Sequence, residues 1–447
     1  MGKTNTKTDT VRQFYQMGIL EVRMENYKKR TMKYCALQGT YWMLAAVGLA
    51  FVTPLLEAKG FNSMEIGWLN AVKYISVIFF QVWIAAFSDR HAKTFPLKWI
   101  MQIMGVTGII SAVAFWFLDN NFAEAVIIFI LYGAVVNCLS PIVDSLSVQY
   151  MNHGQDLHYT LSRACGSGTW AVACVVIGSF SDCFGINNIL ILQIVSTIAF
   201  LAVTVIMEPV DFSKDEKVEK ATTQDTNVKR IESQEETPQE IRSEVEKAEV
   251  HSSWYLIRNY PKYTLFLAGC MIIFMGYNLN ATFMIDVVEG LGGSHTDFGL
   301  AEFVLAAAEM PVAIFFSRMR KKFSIDQMMV ICAIFCTLRA AATTFAPTVL
   351  LVILSQGFEI LGLGIFYAGS VYFVMENLPE TDVVKGVSFI NVASVGVGQA
   401  IASVCCGMIK SAVGLHNLLI ISSLVSFLAV LVMLLMKIAP KKGRQIA

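Results

Sequence analysis

Twelve apolar runs of membrane-spanning length, six on each side of one charged stretch, constrain this chain more than any other feature. They lie at about 35–57, 66–88, 97–118, 122–150, 161–184 and 186–208, then at about 263–288, 297–317, 325–346, 348–375, 383–410 and 416–438. A helix crossing the hydrocarbon of a bilayer takes roughly 20 mostly apolar residues, and each run is long enough. Of the 447 residues, 55% are hydrophobic and 15% charged. A soluble domain carries about 25% charge. The balance excludes a soluble enzyme, a disordered protein and a nucleic-acid binder. The expected fold is an all-α membrane protein of twelve transmembrane helices in two pseudo-symmetric six-helix bundles.

The stretch between the sets, Asp211 to Ser252, holds seven basic and twelve acidic residues and a single aromatic, Phe212. It cannot bury a core of its own and reads as a disordered linker. The expected organisation is an N-terminal segment (1–34), a bundle (35–208), the linker (209–252), a second bundle (253–440) and a tail (441–447). The formal net charge is zero, from 34 basic and 34 acidic residues, so a linker at −5 leaves +5 elsewhere. That surplus sits on alternate turns: Lys28, Lys29, Arg30, Lys33, Arg90, Lys93, Arg318, Arg320, Lys321, Lys322, Lys385, Lys441, Lys442 and Arg444 share one side. The opposite side offers little beyond Lys59 and Lys410. By the positive-inside bias, both termini and the linker are cytoplasmic in a multi-pass protein of the cell membrane. Met1 to Tyr34 is too polar for a cleavable signal peptide.

Ten cysteines follow neither a zinc nor a disulfide spacing; Cys332-x-x-x-Cys336 and Cys405-Cys406 lack partners at ligand spacing. No metal or cofactor is expected. No glycine loop follows a strand-like segment, so nucleotide-driven transport has no support.

The halves echo each other. The second span ends in Ser88-Asp89-Arg90-His91-Ala92-Lys93, and the eighth ends in Ser317-Arg318-Met319-Arg320-Lys321-Lys322. Twelve spans in two halves, a long central loop and a Ser88-Asp89-Arg90 turn resemble the major facilitator superfamily. Ala85 stands where that family's turn usually has Gly. The resemblance implies alternating access, the halves rocking about a midplane site. Asp89 and Arg90 are then residues of a conformational-switch turn.

Charges inside spans are costly and need a reason. The candidates are Lys73, Asp144, Arg163, Glu302, Glu309, Arg339 and Glu359. Lys73, a third of the way into its span, can snorkel to the interface. Arg163 and Trp170 are seven apart and share a helix face, with Gly166 and Gly168 leaving the region shallow. With Asp144 on the fourth span, this set suits a hydroxylated ring: charges bond hydroxyls and the indole covers the apolar face. A structural Asp–Arg pair beside a core Trp is the plainer alternative. The trio resembles the lactose-permease type of oligosaccharide:proton symporter, with Asp in place of a longer Glu.

That resemblance implies roles in the second half. Arg339, in Leu338-Arg339-Ala340, matches the coupling arginine of span nine. Glu302 best matches the span-eight acid joining solute to proton, with Glu309 the runner-up. Glu359 falls where the family has a histidine, and Gly362 replaces its proton-carrying Glu. Asn278 and Ala281, with Gln356 and Val395, occupy positions of two charge pairs that this chain lacks. Asp144, Arg163, Trp170, Glu302 and Asn278 are thus the expected solute contacts, and Glu359, Glu302 and Arg339 the expected proton-coupling set. A carboxylate moved between a buried and an arginine-flanked setting changes its proton affinity. Gln38, Trp42, Asn280, Asn391 and Gln399 either complete the site or tie helices together.

The function expected is a secondary transporter moving a sugar or glycoside with protons. The alternatives are a proton-driven exporter of amphipathic or nucleoside-like compounds and a transport-dead solute sensor. Catalysis is not expected. The partners are a small solute, protons and the bilayer, with no nucleic acid, and the monomer is the expected unit.

Overall fold

The computed structural model describes residues 6–91, 94–211 and 253–440, with side chains described from Met24 onward apart from those of Val82, Ala85, Asp89, Ala313, Ile314 and Glu380. The turn residues 92–93, most of the linker (212–252) and the tail lie outside the described residues, as does the side chain of Asp89.

The described residues are helical nearly throughout. Span 1 is Thr6–Leu49, continued after a 42° bend by Val52–Ala58. Spans 2 to 6 are Ser63–His91, Leu97–Trp116, Phe122–Asn152, Tyr159–Phe184 and Ile189–Ile206. Span 7 is Pro261–Ala281 continued by Met284–Gly290, and span 8 is His295–Arg320. Span 9 is Ile325–Thr344; span 10 joins Val349–Ser355 to Leu363–Asn377 through a 3-10 turn, Gln356–Ile360. Span 11 runs from Val383–Asn391 through a π-helical stretch, Val392–Gly398, into Gln399–Val413, and span 12 is Leu415–Ile438.

Ten helices among the described residues are long and apolar enough to cross a membrane, eleven counting the bent first span. Span 8, His295–Arg320, is 26 residues long and carries Glu302 and Glu309 within its apolar run. The helix of span 1 has 44 residues, about 66 Å at 1.5 Å per residue. It therefore crosses the expected boundary at residue 34 without a break. Large apolar side chains such as Phe79, Ile110, Val176, Ile198 and Leu435 are exposed, as a lipid-facing surface requires.

The repeat is visible in the backbone. Spans 1 and 7 each end in a separate seven-residue helix. Gly60 and Gly292 then turn the chain at φ +85° and +81°, and Gly185 and Gly414 do so after spans 5 and 11 at +86° and +85°. Only glycine adopts that left-handed geometry freely. All four turns lie on the face opposite the linker, the distal face.

The apolar core shows how the halves meet. One cluster at the distal end mixes both halves, joining Phe51, Leu55, Phe129 and Ile177 to Phe283, Val288, Phe298 and Leu418. Toward the linker the core divides into one cluster per half, around Tyr34, Leu139 and Tyr150 and around Tyr263, Phe366 and Phe373. Two close crossings seal the distal end. A Cβ on Gly178 of span 5 would stand 2.2 Å from the His295 carbonyl of span 8, and one on Gly407 of span 11 would stand 2.3 Å from that of Ser63 in span 2. The bundle is closed on the distal face, and its halves pack separately at the linker face.

Candidate functional site

Between the halves lies a cavity of about 390 Å³. Spans 1, 2, 4 and 5 supply one wall and spans 7, 8, 10 and 11 the other, so its shape depends on how the halves sit. A volume of roughly 300–1,000 Å³ suits a small organic molecule.

Arg163 and Trp170 both reach this wall, as their two-turn spacing requires. Arg163 lies with its guanidinium 4.5 Å from the centre of the Trp42 ring, a cation–π contact, and donates to Ser167 at 3.4 Å. Trp42 meets Trp170 edge-on at 5.7 Å. Gly166 makes this stack possible, since a Cβ there would lie 2.4 Å from the Trp42 ring. Gly166 therefore serves close packing of span 1 on span 5, whereas a Cβ on Gly168 would meet only Met310 of span 8, at 3.9 Å.

Asp144 stands behind this wall and does not line the cavity. It accepts a hydrogen bond from the Gln38 amide at 2.9 Å, and Gln38 in turn accepts from Trp42 at 3.3 Å. Arg163 is ion-paired with neither Asp144 nor Glu309; its guanidinium lies on the Trp42 ring. The expected trio is thus a relay, Asp144–Gln38–Trp42–Arg163, in which only the last two members and Trp170 face the cavity.

On the opposite wall stand Glu302 and Glu309, seven residues apart on span 8 and therefore on one face. Both acids weighed in the sequence line the cavity. Asn278 lines it too, but its amide group donates to the Gln399 carbonyl at 3.0 Å and Ser403 at 2.7 Å. It ties span 7 to span 11. Gln356 does not reach span 7; it accepts from Arg339 at 2.9 Å.

Arg339 and Glu359 form a dry pair off the cavity. Their side chains are 2% and 0% exposed, with Nε and Oε1 2.7 Å apart. The contact is close as an ion pair but misaligned as a hydrogen bond, so its strength is chiefly electrostatic. The other Glu359 oxygen accepts from the Leu363 N–H at 2.8 Å, where the second half of span 10 begins. Gly362 is required there, because a Cβ would lie 2.4 Å from that oxygen. The Tyr277 ring, on the cavity wall, sits 4.5 Å from the Arg339 guanidinium and separates the pair from the solute space.

Lys73 corrects an expectation. It does not snorkel: it is 1% exposed and forms part of the cavity wall. Tyr41, Tyr74 and Tyr367 also line the cavity and carry no charge that would have marked them in sequence. Arg90 is exposed at the end of span 2.

A sequence profile of the MFS_1 like family matches residues 34–434. The chain belongs to the MFS_1 like family. It is a membrane transporter of the major facilitator type. The solved structure of the nucleoside transporter NupG superposes with a TM-score of 0.71 at 12% identity, covering 92% of this chain and 99% of that one. A D-xylose-proton symporter gives 0.64 at 15% identity, with 93% and 98% covered. The peptide transporter POT in complex with sulfate gives 0.61 at 12%, with 92% and 94% covered. At these identities the likeness is one of fold. Comparison with curated proteins gives no match.

In this MFS_1 like transporter two polar latches hold the distal face shut. Asp182 of span 5 accepts from the backbone of His295 at 3.0 Å and of Thr296 at 2.8 Å, the first residues of span 8. An acid at a helix start also meets the positive end of the helix dipole. Lys410 of span 11 bridges Glu57 of span 1 at 3.1 Å and Asp286 of span 7 at 2.7 Å.

Proposed function

We propose that the chain carries a small hydroxylated solute, a sugar, glycoside or nucleoside, together with protons across the cell membrane, with its termini and linker in the cytoplasm. In that orientation the described conformation faces inward. The observation that carries the reading is the cavity between the halves, walled by Arg163, Trp42 and Trp170 on one side and two carboxylates on the other. An indole offers an apolar face to a sugar ring or a base, and a guanidinium without an ion partner donates to hydroxyls. The polar wall favours such solutes over amphipathic compounds. The resemblance to the lactose-permease type of symporter supports the same assignment.

Proton coupling rests on the second half. Glu302 and Glu309 meet the solute space, and Arg339–Glu359 lies behind Tyr277. A rocking motion that moves span 8 or span 10 changes the arginine contacts of these acids and hence their proton affinity. Proteoliposomes containing the Glu359→Gln variant should exchange solute down a gradient while losing uphill accumulation driven by a proton gradient. Undiminished accumulation would overturn the coupling role. Solute binding without flux in the wild type would favour a sensor.

A further inference from the structure

Every charge on the cavity wall of the first half is positive, and every one on the wall of the second half is negative. Lys73 and Arg163 come from spans 2 and 5, while Glu302 and Glu309 both come from span 8. None of the four is ion-paired with a described residue. Lys73 is the extreme case. The residue is almost wholly withdrawn from solvent, and its ammonium lies 5.0 Å from the centre of the adjacent Tyr74 ring. Span 4 presses on span 2 at this level, where a Cβ on Gly133 would lie 2.6 Å from the Lys73 carbonyl. The backbone of Lys73 is therefore fixed, and its side chain has the cavity as its polar outlet. Asn70, one turn earlier, and Asn137, one turn beyond Gly133, join it on that wall.

An ammonium removed from water and left without a counter-charge is expensive, and it is retained where something else supplies the charge. Here the cavity is the place from which it can come. We propose that the solute bears a fixed negative charge, a carboxylate or a phosphate ester, and that Lys73 selects for it. Asn70 and Asn137 supply neutral donors to the same group. This deepens the reading of the cavity as the solute site, and rests on it. Arg163 and the indoles hold the ring, Lys73 holds the anion, and the acids of span 8 serve the accompanying protons. A neutral polyol would satisfy the hydrogen bonds and leave the ammonium uncompensated.

The test uses the full chain in lipid nanodiscs and pairs of probes that differ by one charge: glucose with glucuronate and with glucose 6-phosphate, uridine with its 5′-monophosphate, and lactamide with lactate. In at least one pair the acid should bind about tenfold or more tighter than its neutral partner, the weight of one charge-assisted contact. Lys73→Gln should bring that ratio to within about threefold, and Lys73→Arg should keep it. Should Lys73→Gln not fold, the wild type still decides: inorganic phosphate should displace the acidic probe at concentrations that leave a bound neutral probe in place. Absence of acid preference in every pair, total lack of binding included, overturns the proposal. So does a preference that survives Lys73→Gln, or phosphate without effect on the acidic probe. A preference confined to lactate over lactamide would keep the anion site and overturn the sugar or nucleoside reading. Preference for glucuronate or for glucose 6-phosphate tells a carboxylate from a phosphate ester.

Discussion

Each half of the bundle carries a deep acid and a deep arginine, and the two sets stand in opposite states. In the first half Asp144 is held by an amide at 2.9 Å while Arg163 lies apart on the face of an indole, open to the cavity. In the second half Arg339 and Glu359 touch at 2.7 Å and are sealed from solvent. A desolvated pair in contact largely cancels its own field, and opening it is costly unless a proton or another charge takes a partner's place. An arginine kept from its acid still directs that field at whatever enters. On the proposed function, the difference separates a group poised for solute from a group poised for coupling.

The sharpest way to break this comparison is to orphan one charge. Glu359→Ala should lower the stability of the folded chain by about 3–5 kcal/mol, because Arg339 is left buried and unpaired. Arg339→Met combined with Glu359→Leu should recover most of that. Thermal unfolding in detergent measures both, and equal losses in single and double variants would remove the pair from the explanation.

Arg163→Gln should show the reverse pattern. Its stability cost should stay near 1 kcal/mol, the scale of a single lost contact, while solute affinity falls about tenfold or more. Titration of solute against tryptophan fluorescence reads the second effect. A large stability loss with unchanged affinity would make Arg163 a structural residue like Arg339.

The exposed pairs calibrate the scale from below. Glu208, beyond span 6, accepts from Lys33 at 2.9 Å and lies beside Arg30. The hydrogen bond from Lys33 comes first among the influences that hold its carboxyl below the ordinary carboxylate range. Its contribution is therefore complete above the unfolded pKa, near 4.3, and is lost as pH falls through the lower folded value. With a side chain 38% exposed, it should contribute under about 1 kcal/mol after screening. Glu208→Gln should flatten the acid limb of the stability profile slightly; a loss on the scale of Glu359→Ala would undo the calibration.

Most of the fold was legible because lipid imposes one rule everywhere: a spanning helix must be long and apolar. Where the rule weakened, the reading weakened with it. The break in span 10 at Gln356–Ile360 is hidden inside a continuous apolar run, with only Gly357 and Gly362 as hints. At the site, spacing along one helix gave the shared face of Arg163 and Trp170, and it would have placed Glu302 with Glu309 by the same count. Spacing says nothing of which neighbour a face meets. Hence the sequence groups Asp144 with Arg163 where Gln38 of span 1 holds it, and allows Lys73 to reach the interface where the fold places it on the cavity wall.

The Lys410 latch has an electrical consequence for turnover. Its lysine is 15% exposed and its two acids 28% and 23%, so dissolved ions reach the cluster from the distal side alone. When the halves part there, Asp286 leaves with Lys410, since spans 7 and 11 belong to one half, and Glu57 departs into water. Separation strands no charge in a dry place, and the cost of opening is set by screening. On the proposed alternating access, ionic strength on the distal side would therefore tune the ease of opening, while the same salt on the other side would be electrically out of range.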